Sequence, residues 1–193
     1  MTNATGIRTL VLACGVSLIA WGCAPKRPVA SAPVTAERQT ALDARAASKA
    51  GPADIYPDLT ITPGVPASDV TQGNIHTTIC TTGFTNPPRR PPSNYTDKLK
   101  VAGFDEYGLS DHNKGDYEED HLISLELGGD PRNAKNLWPE PYHASVPDGG
   151  ARFKDKVEKY LNRKICSGEM TLEDAQKAIV ADWYKVYQSM PKK

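Results

Sequence analysis

The stretch Tyr117-Glu118-Glu119-Asp120-His121-Leu122-Ile123-Ser124-Leu125-Glu126-Leu127-Gly128-Gly129, followed seven residues later by Asn136-Leu137-Trp138-Pro139, decides how the rest of the chain is read. An acid-rich run ending in Asp120-His121 predicts one strand, and Asn136-Leu137 opens a second. Gly128-Gly129 supplies turn-permissive backbone between them. Successive side chains on a regular strand face opposite sides. Asp120 and His121 can therefore serve one site only at a strand edge or where the backbone kinks.

Downstream, apolar spacing predicts two helices. Between Ala151 and Cys166, the residues Val157, Leu161 and Ile165 repeat at helical intervals, and Gly168 ends the element. The next helix begins at Thr171 with Asp174 three residues on, a variant capping box. Its apolar stripe is Leu172, Ala175, Ile179, Trp183 and Val186, so Trp183 is assigned to the core and to no function. Upstream, residues 69–80 read equally as helix or strand from Val70, Ile75 and Ile79. The run Asn86-Pro87-Pro88-Arg89-Arg90-Pro91-Pro92 excludes helix and interior strand. Thr96 is then expected to cap a short helix through Ala102. The fold class is α+β.

The N-terminus reads as an export signal over residues 1–23. Arg8 is followed by an apolar run from Thr9 to Trp21, too short to span a bilayer. Leu18-Ile19-Ala20-Trp21-Gly22-Cys23 resembles a bacterial lipobox: Gly22 fits, while Ala20 and Trp21 depart from the usual residues. Lipidation of Cys23 would leave a membrane-anchored lipoprotein; ordinary cleavage nearby would leave a soluble periplasmic or secreted one. Residues 24–54 are rich in Ala, Pro and Ser and form a flexible tether, and residues 55–190 form the folded domain. Export places Cys80 and Cys166 in an oxidising compartment, where they are expected to pair as a disulfide. Two isolated cysteines lack the paired spacing of a zinc site.

Formal charge is zero, from 23 Lys+Arg and 23 Asp+Glu, so bulk electrostatics give no argument for a polyanionic partner. The distribution says more. Residues 101–148 carry eleven acids against three Lys/Arg, and residues 151–193 carry ten Lys/Arg against six acids. An acidic centre beside a basic segment suits a cation site next to a phosphate-gripping surface, or two solvated faces of opposite sign.

Hydrolysing a phosphodiester needs an activated water, a positive charge facing the phosphate, and a group holding the base in the right tautomer. His121 suits the base, because an imidazole near its free pKa accepts a proton from water at neutral pH. Asn136 could bond across the hairpin to the His121 ring. Together, Asp120-His121-Leu122-Ile123, Leu127-Gly128-Gly129 and Asn136-Leu137 before a helix resemble the ββα-metal motif of the HNH endonuclease superfamily. They are similar in particular to exported bacterial HNH-like proteins, over about residues 62–187.

The resemblance implies a small ββα-metal hairpin-helix core with additional C-terminal helices. It implies Asp120 as a metal ligand, His121 as general base and Asn136 as the orienting residue. The family's helix histidine, three residues before a Lys, is absent: Ala151 stands at that offset from Lys154. His143 is the expected second ligand, with Asp155, Glu158, Glu119 or water as alternatives. Mg²⁺ suits an oxygen-rich site, and Zn²⁺, Mn²⁺ or Ni²⁺ suits one with His143. Arg89 and Arg90 are candidate phosphate contacts. The expected activity is divalent-metal-dependent cleavage of DNA, or of RNA, outside the cytoplasm by a monomer. The alternative is a catalytically degenerate relative serving as a binding or envelope-associated module.

Overall fold

The computed structural model describes residues 54–192, together with Met1. The residues read as an export signal, Cys23 among them, and the stretch read as a tether up to residue 53 lie outside the described residues. The architecture is α+β. Helix α1 (Ser93–Glu106) precedes strand β1 (Tyr117–His121) and strand β2 (Leu137–Pro141), and helices α2 (Ala151–Cys166) and α3 (Leu172–Ser189) follow. The two strands pair antiparallel, with Tyr117 opposite Pro141, Asp120 opposite Trp138 and His121 opposite Leu137.

Helices α2 and α3 form where the apolar spacing places them. Val157, Leu161 and Ile165 of α2 and Ala175, Ile179 and Trp183 of α3 are all buried against one another and against Leu122, Ile123 and Leu127. Each of the aliphatic side chains larger than alanine stabilises by about 1.5–3 kcal/mol over its exposed state. The buried Trp183 indole N–H donates to the Ile55 carbonyl at 2.7 Å, so its burial leaves no orphaned donor. The Thr171 hydroxyl accepts from the Asp174 amide at 3.1 Å, capping α3 as its sequence predicts. The disulfide joins Cys80 to Cys166, the last residue of α2, across a sequence separation of 86.

One upstream element resolves an ambiguity of the sequence and another differs from expectation. Residues 72–77, ambiguous in sequence, form a short 3₁₀ helix with Ile75 buried. Helix α1 starts at Ser93 rather than after Thr96 and runs on to Glu106. The reason lies in Pro92, whose extended backbone makes it the cap residue. Its carbonyl accepts from the Tyr95 amide at 2.9 Å. Thr96 instead turns its hydroxyl onto the Ser93 carbonyl at 3.1 Å, inside the helix.

The hairpin lies between helices. A Cβ on Gly103 of α1 would come within 3.0 Å of the Pro139 ring, so α1 packs tightly on the face carrying Pro139 and Glu119. Helix α2 reaches the opposite face, where Glu118, Asp120 and Glu140 project. The connection between the strands is an ordered loop. Gly128 has φ +72°, and a Cβ on Gly129 would sit 1.7 Å from the Ile123 carbonyl oxygen, so only glycine fits there. Side chains of the two long helices fasten this loop. The Asn162 amide donates to Glu126 O at 2.8 Å, and Gln176 donates to Leu127 O at 2.8 Å.

Candidate active site

Asp120 and His121 stand at the end of β1, where strand alternation turns them to opposite faces. His121 is 6% exposed. Its Nε2 lies 3.1 Å from the Pro131 carbonyl, which can only accept, so Nε2 carries the hydrogen. Nδ1 then holds the lone pair, has no hydrogen-bond partner among the described residues, and is not one of the unpartnered atoms closed off from solvent. Burial lowers the His121 pKa, against the opposing pull of the Asp120 charge and the Pro131 bond. The ring is therefore neutral near pH 7, with a basic nitrogen available.

Asn136 is placed differently from its expected role. Its amide oxygen accepts from the amides of Val65 (3.1 Å) and Ile123 (3.0 Å). Its nitrogen donates to the carbonyls of Ile123 and Asp130, both at 3.0 Å. All four capacities of the side chain go to backbone, and none goes to the His121 ring. Asn136 holds the loop that carries the Pro131 carbonyl, so it orients His121 through the backbone.

The group that meets Asp120 is Lys154 of α2, 1% exposed. Its ammonium donates to Asp120 Oδ2 (2.5 Å), the His121 carbonyl (2.9 Å) and Glu158 Oε1 (2.5 Å), which uses all three of its protons. Glu140, fully buried on β2, completes the cluster, and neither of its carboxyl oxygens finds a donor. Burial pushes the Glu140 pKa well above the usual carboxylate range, and the neighbouring Asp120 charge adds to this. Protonated, Glu140 becomes the donor to Asp120. Burial also pushes Glu158 up to about 8, and the Lys154 charge only partly offsets it. For Asp120 burial acts upward too, but the Lys154 ammonium outweighs it and holds the carboxyl below its ordinary value. At neutral pH one ammonium thus faces one carboxylate and two largely protonated acids, a cluster close to electroneutral.

That charge balance tests the metal ion implied by the resemblance, and the residues present do not fit it. A divalent ion at Asp120 would lie beside a buried ammonium already bonded to its Oδ2, and the like charges would repel. Ala151 offers only a methyl group where a ligand is expected. The structure does not bring His143 to Asp120. The Tyr142 amide bonds to the Asp116 carbonyl at 2.9 Å, so His143 lies beyond that rung of the hairpin. Four strand residues, about 13 Å, separate Asp116 from Asp120. Of the alternative ligands, Glu158 is held by Lys154, Asp155 pairs with Arg152 at 3.7 Å, and Glu119 projects from the other strand face. Among the described residues, no three His, Cys, Asp or Glu side chains form a metal-holding group.

The two candidate phosphate contacts part company. Arg89 is tied to Asp69 by bonds of 2.8 and 3.3 Å, and its guanidinium lies 4.4 Å from the Phe84 ring centroid. It is a structural residue. Arg90 is exposed, and its positive charge acts on both His121 and Glu126.

Sequence reading missed Lys154 and Glu140. Lys154 and Glu158 carried a signal, because both fall on the buried side of α2 beside Val157, Leu161 and Ile165. Charges on an apolar stripe imply a buried pair. Glu140, between two prolines, carried none. No protein-family model matches the chain, and neither a curated protein nor a solved structure matches it.

Proposed function

We propose that this chain is an exported monomeric endonuclease that hydrolyses phosphodiester bonds in DNA, or alternatively RNA, from an HNH-type ββα hairpin made of β1, β2 and α2. The observation that carries the reading is the His121 ring. One nitrogen is anchored on the Pro131 carbonyl and the other is a free, neutral base at the hairpin edge. In the proposed step Nδ1 takes a proton from water as the water oxygen attacks phosphorus, and the ester oxygen departs with the electron pair of the broken P–O bond and takes up a proton from solvent. The exposed Arg90 guanidinium faces the charge that builds on the phosphate. Lys154 positions the base by holding Asp120 and the His121 carbonyl, and no step runs through a bound metal ion. Export, with or without a lipid anchor at Cys23, is part of the same proposal.

One observation favours a second reading, a binding module without turnover: the ammonium of Lys154 bonds to Asp120, the carboxylate that the resemblance assigns to a metal ion. Incubating the mature full-length chain with supercoiled plasmid and with single-stranded DNA, beside His121→Ala, separates the two. Cleavage by the wild type and not by the variant supports the enzyme. Binding without cleavage, in any divalent cation or in chelator, supports the module.

A further inference from the structure

A basic cavity lies away from Asp120, between α2 and α3. It encloses about 1250 Å³ and is lined on its charged side by Lys156, Lys159, Arg163, Lys164 and Lys192, against the acids Asp148 and Glu169. Glu169 is already answered by Lys164 at 2.5 Å. Lys156, Lys159 and Arg163 are exposed, and among the described residues no carboxylate lies within 4.0 Å of them. Residues 156, 159, 160, 163 and 164 recur at helical spacing, so α2 carries a row of cations opposite its buried stripe.

Between these charges the wall is aromatic. Tyr160, Tyr184 and Tyr187 line the same cavity, all half-buried. The Tyr184 and Tyr187 rings stack at 6.4 Å and 21°. Their hydroxyls are fixed on the Pro147 carbonyl (2.8 Å) and the Asp148 carboxylate (3.2 Å). Rings held by one end are preorganised surfaces for flat partners.

The cavity does not stop there. A smaller hollow of about 260 Å³ shares Lys159 and Arg163 with it and adds Glu126 and Asn162. Glu126 feels the charges of Lys159, Arg163 and Arg90, and Arg90 in turn acts on His121. Lys159 and Arg163 therefore join the two hollows, and the smaller one reaches the loop after β1 at Glu126.

We propose that this groove binds single-stranded nucleic acid, with phosphates on Lys156, Lys159, Arg163 and Lys192 and bases against the tyrosines, and leads the strand toward the loop after β1 and His121. The direction of the path rests on the nuclease reading, while the binding itself does not. Interleaved cations and ring faces suit unpaired bases, because a duplex keeps its own ring faces stacked inside. A membrane of anionic lipid would also meet the positive charge, but it would have no use for a row of rings set inside a groove.

The test measures fluorescence anisotropy of a labelled 20-nucleotide thymidine oligomer with the full mature chain carrying His121→Ala, so that turnover does not interfere. Four phosphate contacts predict a log–log salt slope of about −2.8 for a single strand. Lys159→Glu/Arg163→Glu should weaken binding at least tenfold and bring the slope to about −1.4. Lys98→Glu/Lys114→Glu, the same charge change at exposed positions off the groove, should leave binding unchanged, and far-UV circular dichroism checks that both variants fold. Equal losses in both double variants, or tighter binding to phosphatidylglycerol vesicles than to the oligomer, would overturn the proposal. The nuclease reading is scored separately, in chains that retain His121. Cleavage undiminished by the Lys159/Arg163 reversal sinks the groove and leaves the enzyme standing. Oligomer binding without wild-type cleavage does the opposite.

Discussion

Replacing Lys154 with methionine removes the one cation among Asp120, Glu140 and Glu158 while keeping most of the side-chain volume. The ammonium is 1% exposed and bonds to two carboxyl groups and a carbonyl. Breaking a buried pair by deleting one partner costs about 3–5 kcal/mol, because the other charge stays behind. The chain can escape part of this by protonating Asp120, and that makes the loss pH-dependent. Without Lys154 the folded-state pKa of Asp120 rises above its unfolded value, so the native state holds the extra proton and stability falls as pH rises toward the new pKa. Each such group contributes at most about 1.4 kcal/mol per pH unit. Urea unfolding of Lys154→Met, followed by circular dichroism, should therefore show a deficit of about 3 kcal/mol or more at pH 8. At pH 5 the deficit should be smaller by roughly 2 kcal/mol, and adding Asp120→Asn should recover part of it. A deficit below about 1 kcal/mol, or an equal deficit at both pH values, would refute the neutralising role of Lys154.

Other outcomes follow from the same geometry. In the wild type, burial raises Glu119 and Glu158 to about 8 from 4.5. Their contribution is fully present below pH 4.5 and is lost as pH rises through 8, so calorimetry should show Tm falling from pH 5 to pH 9; a rising Tm would contradict this. Asn136→Ala leaves two amides and two carbonyls without partners and should cost at least about 3 kcal/mol in urea unfolding. Its cleavage rate per folded molecule should fall far less than that of His121→Ala; an equal fall would restore a direct role for Asn136. Cys80→Ser/Cys166→Ser frees a crosslink spanning 86 residues and should lower stability by about 4–5 kcal/mol in the chain-entropy picture, again read by urea unfolding.

Local physics made the helices legible. Val157, Leu161 and Ile165 repeat at the helical period, and Thr171 with Asp174 marks an N-terminus, so α2 and α3 lie within the expected bounds. The start of α1 was misread because a cap with no side-chain donor or acceptor, Pro92, leaves no residue-type signal. In the candidate site, His121 was legible as a candidate base because an imidazole carries that chemistry in its own ring. The role of Asn136 was not, since an amide side chain can meet an imidazole or backbone equally well and only the fold of the loop decides. Lys154 was passed over for a related reason. A lysine in a basic helix usually faces solvent, and the three acids that draw it inward come from β1, β2 and α2 itself. Their convergence exists only after folding, even though the apolar neighbours of Lys154 on α2 pointed to its burial.

The role proposed for His121 is that of a base in a site whose resident cation is the Lys154 ammonium. Its most direct test is the single-turnover cleavage rate of single-stranded DNA by the mature chain in excess EDTA, for wild type and His121→Ala. The wild type should cleave in chelator at the rate seen with Mg²⁺, and the variant should be slower by about 100-fold or more. Cleavage that appears only when a divalent ion is added, or that survives unchanged in His121→Ala, would contradict it.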